Sequence, residues 1–98
     1  MLYDIQPYSF KMAKKLNLVL KPSRDNKHKI DIYDNDDKKI TSIGAIGMND
    51  YEVYNKNEGR KIAKEKRILY YNRHLKDLKV KNSRGYYAWV ILWRGNLS

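Results

Sequence analysis

The eight residues Tyr86-Tyr87-Ala88-Trp89-Val90-Ile91-Leu92-Trp93 carry no charge and are apolar on every side, whichever regular structure they adopt. In a chain of 98 residues such a run has to be enclosed by the rest of the molecule, because exposing it would leave a large apolar patch in water. Periodicity alone does not separate helix from strand over so short a stretch; we read it as a helix. It is also the longest apolar run in the chain. It falls well short of the roughly 18–20 residues needed to span a bilayer.

The remaining elements must supply the enclosure. In Lys29-Ile30-Asp31-Ile32-Tyr33-Asp34 the isoleucines alternate with polar residues, the period of a half-buried strand. Asn35-Asp36-Asp37-Lys38 has turn composition, and Lys39-Ile40-Thr41-Ser42-Ile43 returns as a second strand ending at Gly44. This predicts a β-hairpin over 29–43. Leu18-Val19-Leu20 reads as a further strand, stopped at Lys21-Pro22, and 23–28 as a polar turn. Ser9–Leu16 suits a short helix with Ser9 as N-cap and Phe10, Ala13 and Leu16 on one face. Residues 44–56 read as irregular, broken by Gly44, Gly47 and Asn49-Asp50. A long helix is expected from Glu58 to Val80, with Asn57 as N-cap and an apolar stripe of Ile68, Tyr71, Leu75 and Leu78. Asn82-Ser83-Arg84-Gly85 breaks it.

The fold class expected is therefore α+β. It is a single domain over 1–98, with 1–8 as an N-terminal arm and a hairpin or short antiparallel sheet packed on a long basic helix and an apolar C-terminal helix. Its core would draw on Ile30, Ile32, Ile40, Ile43, Ile68, Leu75, Trp89 and Trp93. There is no cysteine, so neither disulfides nor thiolate metal sites can staple it. Met1–Phe10 lacks the basic and apolar regions of a secretory signal, so a non-secreted protein is expected.

Charge points to the partner. Twenty-one Lys and Arg against eleven Asp and Glu give +10. Residues 1–55 hold nine basic and eight acidic residues, whereas residues 56–98 hold twelve and three. Such asymmetry suggests a basic face directed at a polyanion. On the predicted long helix, Arg60, Arg67 and His74 nearly eclipse one another, and Lys66 and Arg73 lie opposite the apolar stripe. With Lys64, Lys76, Lys79, Lys81, Arg84 and Arg94 they form a candidate surface for nucleic-acid phosphates or an acidic protein. Tyr70 and Tyr87 are candidates for base stacking or an interface, while Trp89 and Trp93 are better suited to the core.

Other chemistries find little support. Asp31, Asp34, Asp36 and Asp37 resemble the opening of a calcium loop, but Lys39 and Ala45 stand where glycine and glutamate are required. The acidic turn at 34–37 is better read as a solvated tip, or as a point of self-association with the basic helix. His28 and His74 have no partner pattern for metal or nucleophilic catalysis, and Gly44-Ala45-Ile46-Gly47 lacks the lysine of a phosphate loop. No enzyme activity, metal or cofactor is expected.

Tyr8-Ser9-Phe10-Lys11-Met12-Ala13-Lys14-Lys15-Leu16, Lys21-Pro22-Ser23 and Lys29-Ile30-Asp31-Ile32-Tyr33 form the first part of a longer pattern. It continues with Ser42 to Gly47, Asp50-Tyr51, Gly59-Arg60-Lys61, Arg67 to Tyr70, Arg73-His74, Gly85 to Ala88 and Ile91-Leu92-Trp93. The pattern resembles a group of small basic proteins encoded by large nucleocytoplasmic DNA viruses, algal viruses among them, and covers about residues 8 to 93. Met48 departs from it, standing where tyrosine is expected. The resemblance implies a virion or a cytoplasmic or nuclear virus factory, and carries over no catalytic residue. Two roles follow as expectations: a nucleic-acid-binding module without sequence specificity, or a minor capsid component bridging larger subunits.

Overall fold

The alternation of Ile30 and Ile32 on one strand, opposite Ile43 on the next, builds the first half of the molecule. The computed structural model describes residues 3–78 and 80–96, and the chain divides into two compact units, residues 1–48 and 49–98. Both α-helices and an antiparallel sheet are present, so the fold is α+β.

Unit 1 contains helix α1 (Pro7–Lys15) and strands β1 (Val19–Pro22), β2 (His28–Tyr33) and β3 (Lys39–Ala45), in sheet order β1-β2-β3. Leu20 pairs with Ile32, and Ile30 with Ile43. All three isoleucines are completely buried, and each such side chain contributes about 1.5–3 kcal/mol relative to exposure. The predicted hairpin is present. Ile40, however, is 44% exposed rather than in the core. It is three residues from Ile43, and an odd separation on a strand places two side chains on opposite faces. The register shift beside Ile32/Tyr33 leaves Thr41 opposite Ile32 instead. At the turn, Asp34 Oδ1 accepts from the N–H groups of Asp36 and Lys38, both at 2.9 Å, and Asp37 takes φ 65°.

Helix α1 starts two residues before the expected Ser9. Pro7 occupies the first turn, where its missing N–H costs nothing, and Gln6 becomes the N-cap. The buried face is accordingly Ser9, Met12 and Ala13, while Phe10 is 49% exposed. Asn17 ends the helix at φ 59°, so that Leu18 N–H reaches the Ala13 carbonyl at 2.9 Å and Asn17 N–H that of Lys14 at 3.2 Å. The expected N-terminal arm is engaged within the described residues: Ile5 is buried, and Lys29 Nζ lies 5.1 Å from the centre of the Tyr3 ring.

Unit 2 is helical: α2 (Tyr51–Glu58), α3 (Arg60–Arg73), α4 (Leu75–Leu78) and α5 (Arg84–Leu92). The single long helix expected over 58–80 is thus replaced by two, α3 and α4, and the segment read as irregular supplies most of α2. Asp50, itself buried, caps α2 by accepting from Val53 N–H at 3.2 Å. Gly59, at φ 93° and ψ 167°, then breaks the path; this conformation is essentially restricted to glycine. His74 (φ −114°, ψ 18°) separates α3 from α4.

The breaks reset which face of each helix turns inward. On α3 the inward residues are Ala63, fully buried, with Lys66, Arg67 and Tyr70 partly covered. Ile68 and Leu75 from the expected stripe are 56% and 41% exposed, and only Leu78 of that stripe is buried. Helix α5 encloses the apolar run as expected, with every residue from Tyr86 to Trp93 buried. Its N-cap Ser83 accepts from Tyr86 N–H and donates to the Asp77 carbonyl, both at 3.2 Å, which ties α5 to α4.

Candidate nucleic-acid interface

Helix α5 presents Trp89 and Trp93 one turn apart, and the tyrosines of α2 and α3 pack against them. Tyr70 lies parallel to Trp93 at 4.5 Å between centroids and 15° between planes, and near-parallel to Trp89 at 6.2 Å and 5°. Tyr54 meets Trp93 at 6.2 Å, Tyr71 meets Trp89 at 5.3 Å, and His74 lies 4.3 Å from Tyr70. Offset and tilted pairs at these distances add about 0.5–1.5 kcal/mol each beyond area burial.

This ladder settles where the two candidate stacking residues stand. Tyr70 is enclosed by two tryptophans and a histidine, and burial raises its phenol pKa above the ordinary value. Tyr87 is buried against Tyr86 at 6.0 Å, and burial raises its phenol too. Neither offers a free ring, so the expectation that they stack bases is corrected. The reason is the scarcity of Phe and Leu in the inner layer: tyrosine does the packing there.

Two arginines expected on the wet surface are also committed inward. Arg67 Nε donates to the Trp93 carbonyl at 2.9 Å and Nη2 to the Arg94 carbonyl at 3.0 Å, with the guanidinium 4.5 Å above Trp89. It satisfies orphan acceptors at the end of α5, where a positive charge also opposes the helix dipole. Arg94 grips Glu52 through both ends of its guanidinium, at 2.6 and 2.9 Å, and covers the Tyr51 ring at 4.7 Å. The sequence reading missed Glu52 because α2 was taken as irregular. Lys66 is half-buried with its ammonium 5.7 Å from the Tyr54 ring, and His74 lies on Tyr70, so the predicted Arg60/Arg67/His74 row does not form.

The remaining cations stay outside. Arg60, Lys61, Lys64, Arg73, Lys76 and Lys81 are exposed, and no ion pair holds them among the described residues. Arg84 is exposed at the start of α5. Lys79 lies outside the described residues. Arg60 and Lys64 are one turn apart on α3, about 6 Å along its axis.

A cleft of about 440 Å³ opens in unit 2 between Ile68 and Tyr71 of α3, Leu78 of α4, and Tyr86 and Trp89 of α5. Arg67 and Asn96 are the polar members of its lining.

Unit 1 answers three of its carboxylates locally, while Lys11, Lys14, Lys15, Arg24, Lys27 and Lys38 stay exposed. Burial alone would raise the Asp31 carboxyl, but hydrogen bonds from Ser42 (2.6 Å) and Ser23, with Lys39 at 3.6 Å, more than offset this and hold it below its ordinary value. The Asp25 carboxyl is also lowered, first by its 2.9 Å hydrogen bond to His28 and then by Lys27 N–H. Lys21 reaches Asp37 at 3.2 Å. The acidic turn therefore uses Asp34 to hold its own backbone and Asp37 to meet a lysine of the same sheet.

Among the described residues no group of three His, Cys, Asp or Glu side chains is placed to hold a metal. No helix there is long and apolar enough to cross a membrane. No protein-family model, curated protein or solved structure matches the chain.

Proposed function

We propose that the chain is a non-enzymatic binding module that contacts nucleic-acid phosphates through the outer surface of unit 2 without reading sequence. The observation that carries this is the set of six exposed cations, Arg60, Lys61, Lys64, Arg73, Lys76 and Lys81, with no carboxylate paired to them in the described residues. Cations left unpaired on a surface where they outnumber the exposed carboxylates Glu58, Glu65 and Asp77 gain by displacing counterions from a phosphate backbone. The chain resembles small basic proteins of large DNA viruses, and this reading would place it with the genome in a virus factory or virion.

The chemistry sets a test. Binding of labelled duplex and single strands should be nearly independent of sequence and should weaken steeply as salt rises. Neutralising Arg60, Lys64 and Arg73 together should flatten the log–log salt slope by about two to three units, at about 0.7–0.9 per phosphate contact. Absence of binding at low salt would refute the proposal and transfer the basic surface to an acidic protein.

A further inference from the structure

The cleft in unit 2 does not suit a base. Stacking recognition needs free ring faces, and Trp89 is covered by the Arg67 guanidinium at 4.5 Å and lies parallel to Tyr70 at 6.2 Å. Gly95 packs against the same indole so closely that a Cβ there would overlap it. Arg67 in turn is spent on the Trp93 and Arg94 carbonyls. What remains is an apolar hollow of a size usual for ligand and anchor pockets.

Ile68 stands at its lip, 56% exposed, and Leu69 beside it is 54% exposed. Adjacent aliphatic side chains left in water at the mouth of a cleft are apolar surface that a partner can cover. The surroundings select the sign of the partner. Unit 2 holds twelve Lys and Arg against five Asp and Glu, and Lys61 and Lys64 lie two turns and one turn before Ile68 on α3 with no ion pair among the described residues, against the single exposed carboxylate Glu65 on that helix. A basic segment would be repelled and an acidic one attracted. The described part of unit 2 is helical throughout its regular structure, so it offers no strand edge to extend, which leaves the helix-in-groove mode.

We propose that this cleft docks an acidic amphipathic helix of a partner protein, seating one aliphatic anchor among Ile68, Tyr71 and Trp89 while the flanking carboxylates face Lys61 and Lys64. The apolar cleft itself does not rest on the phosphate contacts, but Lys61 and Lys64 at its rim belong to both surfaces.

A fluorescein-labelled synthetic helix of leucine and glutamate at amphipathic spacing is the probe, read by anisotropy with the full chain at about 0.15 M salt, where distant surface charges are screened. The same peptide with serine for leucine keeps the charge and should bind about tenfold more weakly or worse, since one buried anchor is worth that much. Ile68→Glu should weaken the leucine peptide by a similar factor. It should leave the melting temperature unchanged; oligonucleotide affinity is read on the uncharged Ile68→Ser, where it should be unchanged, because a carboxylate beside Lys64 weakens phosphate binding by charge alone. Ile68→Ser, which adds no charge, should weaken the peptide in the same direction. Equal binding of the serine peptide, or no effect of either substitution, or no binding of the leucine peptide, would overturn the proposal. Loss of oligonucleotide affinity in Ile68→Ser equal to its loss of peptide affinity would also overturn it, by assigning the cleft to nucleic acid.

Discussion

The two units solve the same problem, enclosing a small core under a high positive charge, in opposite ways. Unit 1 buries isoleucines from alternating strand positions and answers its carboxylates locally, with Lys21 on Asp37, His28 on Asp25, and Ser42 and Lys39 on Asp31. Unit 2 builds its interior from stacked tyrosine and tryptophan, turns Arg67 and Arg94 into that interior as structural ties, and leaves Arg60, Lys61, Lys64, Arg73, Lys76 and Lys81 outside with no ion pair among the described residues. Surplus charge is thus concentrated where the helices are, and a positive residue's place in the sequence does not tell whether it holds the fold or faces a partner.

The comparison breaks first at the aromatic ladder. Trp93→Ala removes the ring that Tyr54 and Tyr70 pack on and should cost about 3–5 kcal/mol; an unchanged melting temperature would show that the ladder does not carry unit 2. Next comes Arg67→Ala, which strands two carbonyls at the end of α5 and should cost about 2–3 kcal/mol in chemical denaturation. Arg60→Ala, on the same helix but exposed, should stay within about 0.5 kcal/mol. Arg67→Lys should recover less than half of the loss, because an ammonium lacks the fork that reaches both acceptors. Equal costs for Arg60 and Arg67 would erase the distinction between structural and outward cations.

Gly59→Ala tests the break that orients α3. No atom lies within 4 Å of the added Cβ, so the effect is backbone strain alone, about 1–3 kcal/mol at φ 93°. The smallest effect expected is in unit 1. The Asp31 pKa lies below its ordinary 3.8 in the folded chain, so the stabilisation is fully present above that value and is lost as pH falls through the folded one. The melting-temperature gap between wild type and Asp31→Asn should therefore be widest near about pH 6 and narrow below about pH 4; a gap independent of pH would remove the pairing from the account.

The same contrast explains what could be read in advance. The hairpin was legible because Ile30 and Ile32 follow a period of two, a turn-rich stretch follows and Ile43 lies on a second β-branched run, and the run 86–93 was legible because it is apolar all round. The inner face of α3 was not, since it consists of Ala63, a tyrosine and the stems of Lys66 and Arg67, which a hydrophobic pattern scores as surface. The pattern pointed instead to Ile68 and Leu75, which are exposed. Asp50 and Gly59 carried the signals for the start and end of α2, but they sat within or beside a stretch that looked like a loop. Among the candidate binding residues, Arg60, Lys64, Arg73, Lys76, Lys81 and Arg84 remain on the surface, whereas Arg67, Tyr70 and Tyr87 are taken by packing.

The most direct measurement removes equal charge from each unit and compares nucleic-acid binding over a salt series. One variant carries Arg60, Lys64 and Arg73 changed to Gln, and the other carries Lys11, Lys14 and Lys38 changed to Gln, all six positions being exposed. The unit 2 variant should lose affinity at low salt and show a log–log slope flatter by about two to three units, with the unit 1 variant's slope within about half a unit of wild type. Equal flattening in both variants would show that binding follows net charge alone and would contradict a phosphate-binding surface confined to unit 2.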